Sequence, residues 1–140
     1  NDGSWVSMLQ NAPPIVRNGA IATDGYHEIV FGDDANRQFT TFRSAICVRR
    51  DEHLIYVAMS YVRVHQLAAE LVKMGCTLAM QLDITGHRPQ FAWYSGFGTA
   101  DRTATLLHKN MQTPDRYFRY SEMNFVALFD PSTLPPDSVG

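Results

Sequence analysis

The chain has 140 residues, which is enough for one domain with a substantial core and too few for two. Hydrophobic residues make up 45% and charged residues 19%, a composition that is too apolar for a disordered chain. The formal net charge is -2 and no block of Lys and Arg stands out, which argues against a nucleic-acid partner. No apolar run approaches the roughly 20 residues of a membrane-spanning helix, so we expect no membrane span.

The first third of the chain predicts a hairpin, a loop and a strand. An Asn-Gly pair at 18–19 lies between short apolar segments, which is typical of a two-residue hairpin turn. Residues 24–36 are rich in Asp, Gly and Asn and predict a surface loop around a short strand, 28–31. Residues 42–48 alternate in a way that predicts a strand with one buried face.

The centre of the chain predicts a strand, a helix and a second strand. Residues 54–59 are almost wholly apolar, which is typical of a strand at the centre of a sheet. From Val64 onward the apolar residues recur at the spacing of one helical face, with Ser60 as the expected N-cap and Gly75 at the C-terminal end. Residues 77–82 follow as a strand. A strand, a helix and a strand in this order predict a crossover between parallel strands.

The last third of the chain contains weaker signals. We predict a strand at 90–94, a short helix at 103–110, a final strand at 124–129 and a surface tail at 131–140. Together the elements predict an α+β fold: a twisted mixed sheet with one main amphipathic helix in a strand–helix–strand crossover, forming a single domain over residues 1–140.

The two cysteines, Cys47 and Cys76, are too few for a disulfide framework or a cysteine-based metal site. Each lies in or beside an apolar stretch, so buried free thiols are the favoured interpretation and a single disulfide is the alternative. The histidines show no ligand spacing, and we expect no metal and no cofactor. The two cysteines do not indicate a cellular location.

Several segments carry a family resemblance. Their counterparts in the family are Gln-x-x-Pro-x-Leu-Val-x-x-Gly, Arg-x-Ala-Ile-Gly, a hydrophobic strand, a helix with Leu-x-x-Glu-Leu, a Leu-Asp-Gly-Gly-Gly-Ser turn and a closing strand. The matching segments here are Gln10–Gly19, Arg43–Cys47, Leu54–Met59, Leu67–Leu71, Met80–His87 and Asn124–Leu128. In this order they resemble the phosphodiester glycosidase family, which hydrolyses sugars linked through a phosphodiester. The N-terminal half of that family has no counterpart, so the resemblance implies the C-terminal part of a longer domain, or a second polypeptide that supplies the missing strands.

The resemblance also implies a site. Arg43 matches the family arginine, and a guanidinium can bind two oxygens of a phosphodiester at once. Asp83 matches the family aspartate, which would act as an acid/base or bind a sugar hydroxyl. Thr85, Gly86 and His87 occupy the turn that would shape the substrate pocket. The implied ligand is a sugar phosphate or a carbohydrate.

Three departures from the family pattern leave the activity open. Ile84 and Thr85 replace two turn glycines, and Cys47 replaces the glycine after Ala-Ile. Glycine allows close approach of the backbone to a ligand, which a β-branched residue restricts. Three interpretations therefore stay open: a sugar-phosphodiester hydrolase, a catalytically silent binding or structural module of the same fold, and a small domain with an unrelated binding role. Apart from the resemblance, Asp83 can simply cap its turn and Arg43 can be a structural ion-pair partner.

Overall fold

The computed structural model describes residues 12–32, 39–84, 89–96, 99–114 and 126–128. The predicted α+β class, with one main helix in a strand–helix–strand crossover, is confirmed. The described elements are β1 (Pro14–Arg17), β2 (Ala20–Ile21), a 3-10 helix (Glu28–Phe31), β3 (Thr41–Arg49), β4 (Leu54–Val62), α1 (Val64–Lys73), β5 (Cys76–Ile84), β6 (Ala92–Ser95) and β7 (Thr103–Leu106).

Five of the strands form one sheet in the order β2-β1-β5-β3-β4, and each neighbouring pair is antiparallel. Since β4 and β5 are both antiparallel to β3, they run in the same direction, as a crossover through α1 requires. They do not pair with each other, because β3 lies between them. The prediction that β4 is central is wrong, since it lies at one edge of this sheet and β2 lies at the other.

Both faces of β4 are partly covered, which is consistent with the apolar character of this outer strand. Ile55, Val57 and Met59 pack against the hydrophobic core. The ring of Tyr56 lies 4.9 Å from the ring of Phe91, measured between centroids. An apolar run of this kind indicates that both faces of a strand are shielded from solvent. It does not indicate where the strand lies in the sheet.

Helix α1 covers one face of the sheet and forms the core with it. Its buried residues follow the predicted helical spacing. The fully buried core residues of the helix are Val64, Leu67, Ala68 and Leu71, and those of the sheet include Ile15, Val16, Ala45 and Ala79.

The C-terminal end of α1 follows the prediction, and the N-terminal end does not. Gly75 has a φ of 83°, as expected for the residue that ends a helix. Ser60 is still part of β4, so the predicted N-cap is wrong, and the N-cap is Arg63. There the backbone N–H of Arg63 donates to Oε1 of Gln66 at 2.9 Å, which stabilises the first turn.

The hairpin of β1 and β2 is confirmed, with Val16 opposite Ile21. Two other predictions are wrong. Residues 28–31 form a 3-10 helix and no strand, and the side chain of His27 caps this helix by accepting from the backbone N–H of Ile29 at 3.3 Å. Residues 103–106 form strand β7, which pairs with β6, and no helix.

The predicted strand at 124–129 is not seen in the part of it that the structure describes. Residues 126–128 are exposed and have no regular structure. The remaining residues of the predicted strand 124–129, and the predicted tail 131–140, lie outside the described residues.

Cys47 and Cys76 form a disulfide between β3 and β5, with a Cα–Cα distance of 5.9 Å. Both residues are 1% exposed and belong to the core, so their predicted burial is confirmed. The favoured interpretation of free thiols is wrong. The antiparallel pairing of β3 with β5 brings together two residues that are 29 positions apart in the sequence.

Candidate functional site

Arg43 lies in β3 and is 0% exposed, which makes it the largest fully buried side chain among the described residues. Its Nε donates to the backbone carbonyl of Val62 at 3.1 Å. Its Nη1 donates to the backbone carbonyl of Phe31 at 3.1 Å and to Oε1 of Gln81 at 2.7 Å. These bonds join β3 to β4, to β5 and to the 3-10 helix.

The second terminal nitrogen of Arg43, Nη2, also donates hydrogen bonds to backbone carbonyls. Nη2 donates to the backbone carbonyls of Gly32 at 3.3 Å and Phe39 at 2.8 Å. Gln81, which is 3% exposed, donates in turn from Nε2 to the carbonyl of Phe31 at 2.6 Å. A guanidinium has five N–H donors, and the five described bonds match that number. We call this cluster the Arg43 network.

Two irregularities in the strand pairing flank Arg43. The register with β4 shifts between Thr41 and Arg43, and the register with β5 shifts between Arg43 and Ala45. The first shift leaves an extra residue in β4, where Tyr61 has a φ of 55° and is 84% exposed. Such bulges re-aim side chains and are common beside functional sites. Here they accompany the approach of the Val62 carbonyl to Nε of Arg43.

Asp83 is exposed and is the last residue but one of β5. Its backbone carbonyl accepts a hydrogen bond from Oγ of Ser44 at 2.8 Å. Arg43 is paired with Ile84, the next residue along β5, so the two predicted catalytic residues occupy neighbouring positions in paired strands. Their environments differ, because one side chain is fully buried and the other is exposed.

The other predicted site residues, Thr85, Gly86 and His87, lie outside the described residues. Their role in binding a substrate therefore stays a prediction. The structure places only the first two members of the predicted site, Arg43 and Asp83.

A separate pocket of about 360 Å³ lies between the turn at 23–26 and the start of α1. It is lined by Thr23, Asp24, Gly25, Tyr26, Phe31, Val64 and His65. We call it the α1 pocket. The Thr-Asp-Gly-Tyr sequence predicts a turn with glycine at its third position. Nothing in the sequence indicates that this turn faces His65, because Thr23 and His65 are 42 positions apart.

No protein-family model, curated protein or solved structure matches this chain. Across the described ranges, no three His, Cys, Asp or Glu side chains come together to hold a metal ion. In the same part of the chain, no helix has both the length and the apolar character required to cross a membrane.

Proposed function

We propose that this domain is a catalytically silent binding or structural module with a phosphodiester glycosidase-like fold, in which Arg43 braces the interior. The observation that carries the proposal is the Arg43 network. A guanidinium that binds a phosphodiester presents two parallel N–H groups to the ligand. In this domain the N–H groups of Arg43 already donate to protein acceptors at a fully buried position.

The energies involved support a structural role. A hydrogen bond from a charged group contributes about 1.5–3 kcal/mol to stability. Releasing two of them for a ligand would cost about 3–6 kcal/mol before any binding. This is comparable with the total stability of an ordinary domain, about 5–15 kcal/mol. A ligand that takes two donors from Arg43 would therefore compete with the fold itself.

The alternative is hydrolysis of a sugar phosphodiester, with Asp83 as the acid/base and Arg43 as the phosphate ligand. Two observations favour it. The carboxylate of Asp83 is exposed, and the strand irregularities beside Arg43 are of a kind common near functional sites. This alternative requires Arg43 to leave its network when substrate binds.

The long outer edge of β4 supports one further part of the proposal, an additional strand that pairs there. β4 has nine residues, and no strand among those described pairs with its outer side. Edge strands of this length expose a row of N–H and C=O groups unless something covers them. A second polypeptide that supplies such a strand is the partner we propose for this module.

Three variants separate the silent module from the hydrolase. We would assay each against a chromogenic sugar phosphodiester and record its thermal unfolding. Arg43→Gln should lower the free energy of unfolding by about 3–5 kcal/mol, because it leaves several buried groups unpaired. Arg50→Gln is the matched control, since Arg50 is exposed, and it should stay within about 0.5 kcal/mol of the wild type. Asp83→Asn, also at an exposed position, should leave the melting temperature unchanged.

The silent-module proposal expects no turnover by the wild type above the protein-free blank. It is overturned if the wild type hydrolyses the substrate and Asp83→Asn removes that activity at an unchanged melting temperature. The bracing role of Arg43 is overturned separately if Arg43→Gln is as stable as the Arg50→Gln control.

A further inference from the structure

The α1 pocket has an apolar floor and a polar rim. Phe31 and Val64 are each 2% exposed and form its floor, while Tyr26 is 48% exposed and stands beside them. The rings of Tyr26 and Phe31 meet edge to face with centroids 5.9 Å apart, so the tyrosine ring is held in place. An apolar pocket with a few polar groups at its rim is the usual form of a small-molecule site.

Two polar side chains at the rim lie close to His65. Oγ1 of Thr23, a residue that is 7% exposed, lies 3.1 Å from Nδ1 of His65. A carboxylate oxygen of Asp24 lies 3.8 Å from the same nitrogen, although its side chain is 84% exposed. The backbone N–H of Tyr26 donates to the carbonyl of Thr23 at 3.3 Å and closes the turn that carries these groups.

The charges around the pocket oppose each other, which disfavours a charged ligand. Asp24 places a carboxylate on one side and would repel an anion. On the other side, Val64 and His65 belong to the first turn of α1, whose N-terminus carries roughly half a positive charge and would repel a cation. A neutral ligand avoids both penalties.

The carboxylate of Asp24 and the first turn of α1 together favour a ligand that can both donate and accept hydrogen bonds. A carboxylate only accepts, whereas the backbone N–H groups of the first helical turn only donate and have no acceptor within the helix. A hydroxyl group can serve both partners. The ring of Tyr26 adds a flat apolar surface on which the C–H face of a sugar ring can pack.

We propose that the α1 pocket binds a neutral, hydroxyl-rich ring of the size of one monosaccharide, which packs on Tyr26 and donates to Asp24. Its volume is at the lower end of the range of about 300–1,000 Å³ for ligand pockets, which suits one sugar ring. This inference goes beyond the proposed function. Arg43 holds the carbonyl of Phe31 and so helps to position the pocket floor, but the proposed ligand makes no contact with Arg43.

The test uses the full chain and measures backbone amide shifts by NMR during titration with glucose, galactose or mannose. Tetramethylammonium and inorganic phosphate are titrated as charged probes. We expect at least one sugar to give saturable shifts at Asp24, Tyr26 and His65, with millimolar affinity, and neither charged probe to do so. Tyr26→Ala should weaken sugar binding at least tenfold, and Asp24→Asn at least threefold.

The matched control is Tyr61→Ala, which removes a tyrosine that is 84% exposed on β4 and should leave the affinity unchanged. The proposal is overturned if none of the sugars gives saturable shifts at these amides, or if either charged probe does. It is also overturned if Tyr26→Ala binds the sugar as tightly as the wild type. Asp24→Asn, at an exposed position, keeps the test valid even if Tyr26→Ala fails to fold. None of these outcomes bears on hydrolysis, which the phosphodiester assay measures separately.

Discussion

Removal of the Cys47–Cys76 disulfide is a direct test of what stabilises this fold. The double variant Cys47→Ala/Cys76→Ala removes the link between β3 and β5 and keeps two small apolar side chains in the core. A disulfide stabilises a protein mainly because it restricts the unfolded chain, and more so for a longer loop. For a separation of 29 residues, the chain-entropy relation gives about 3.6 kcal/mol at 25 °C.

This free energy converts into a large shift in melting temperature. Unfolding entropies near 60 °C are about 2.1 cal/mol/K per residue, so a chain of 140 residues should lose about 12 °C. Both cysteines are 1% exposed, so a soluble reductant should not reach the bond while the domain is folded. We therefore expect reductant to act only when denaturant is also present.

The assay compares urea unfolding of the wild type and the double variant, each with and without a phosphine reductant. The double variant serves as the control for effects of the reductant other than thiol chemistry. The reasoning is refuted if the double variant is within about 1 kcal/mol of the oxidised wild type. The disulfide itself is refuted if a thiol reagent labels the urea-unfolded wild type without reduction, because both cysteines would then be free. Disulfides persist in oxidising compartments, so a disulfide that resists reduction in the folded state would favour an extracellular, periplasmic or lumenal location.

Two further predictions concern the 3-10 helix and the outer strand. Gly32→Ala should destabilise the domain by about 2 kcal/mol or more in thermal unfolding, because a φ of 76° with a ψ of 136° is a backbone conformation that L residues rarely adopt. The new Cβ would also lie 2.6 Å from Cδ1 of Ile84, a contact that a rotation of the isoleucine side chain can relieve. Gly25→Ala is the control, with a φ of 88° and no atom within 4 Å of the new Cβ, and should cost only about 1 kcal/mol; equal losses would contradict the argument from backbone strain at Gly32. Native mass spectrometry of the protein purified from its source should reveal a second polypeptide that dissociates on denaturation. A single folded polypeptide would contradict the proposed strand partner at β4.

Local sequence patterns predicted the elements whose stability is set by neighbouring residues. The hairpin follows from the Asn-Gly pair at 18–19, which suits the tight turn between β1 and β2. Helix α1 follows from the spacing of its apolar residues and from the glycine that ends it. In each case the determining residues lie within a few positions of each other.

The predictions failed where distant contacts decide the outcome. Residues 28–31 have the composition of a strand, but Arg43 and Gln81 both donate to the carbonyl of Phe31 and hold this segment against the sheet as a 3-10 helix. Residues 103–106 became a strand because β6 lies alongside, with Oγ of Ser95 and Oγ1 of Thr103 2.6 Å apart. Neither partner is evident from the residues of the segment itself.

The role of Arg43 also depends on contacts with residues that are distant in the sequence. For this reason the sequence alone supported two opposite functional hypotheses for this residue. An arginine in an apolar strand is equally consistent with a ligand-binding group and with an internal brace. The choice depends on the acceptors that surround it, and four of the five acceptors described for Arg43 are backbone carbonyls, which every residue type provides. Because every residue has a backbone carbonyl, the sequence does not indicate which carbonyls accept from Arg43. The fold was needed to show that its N–H groups have protein partners. A loss of stability in Arg43→Gln that the Arg50→Gln control does not show would support the brace as its role.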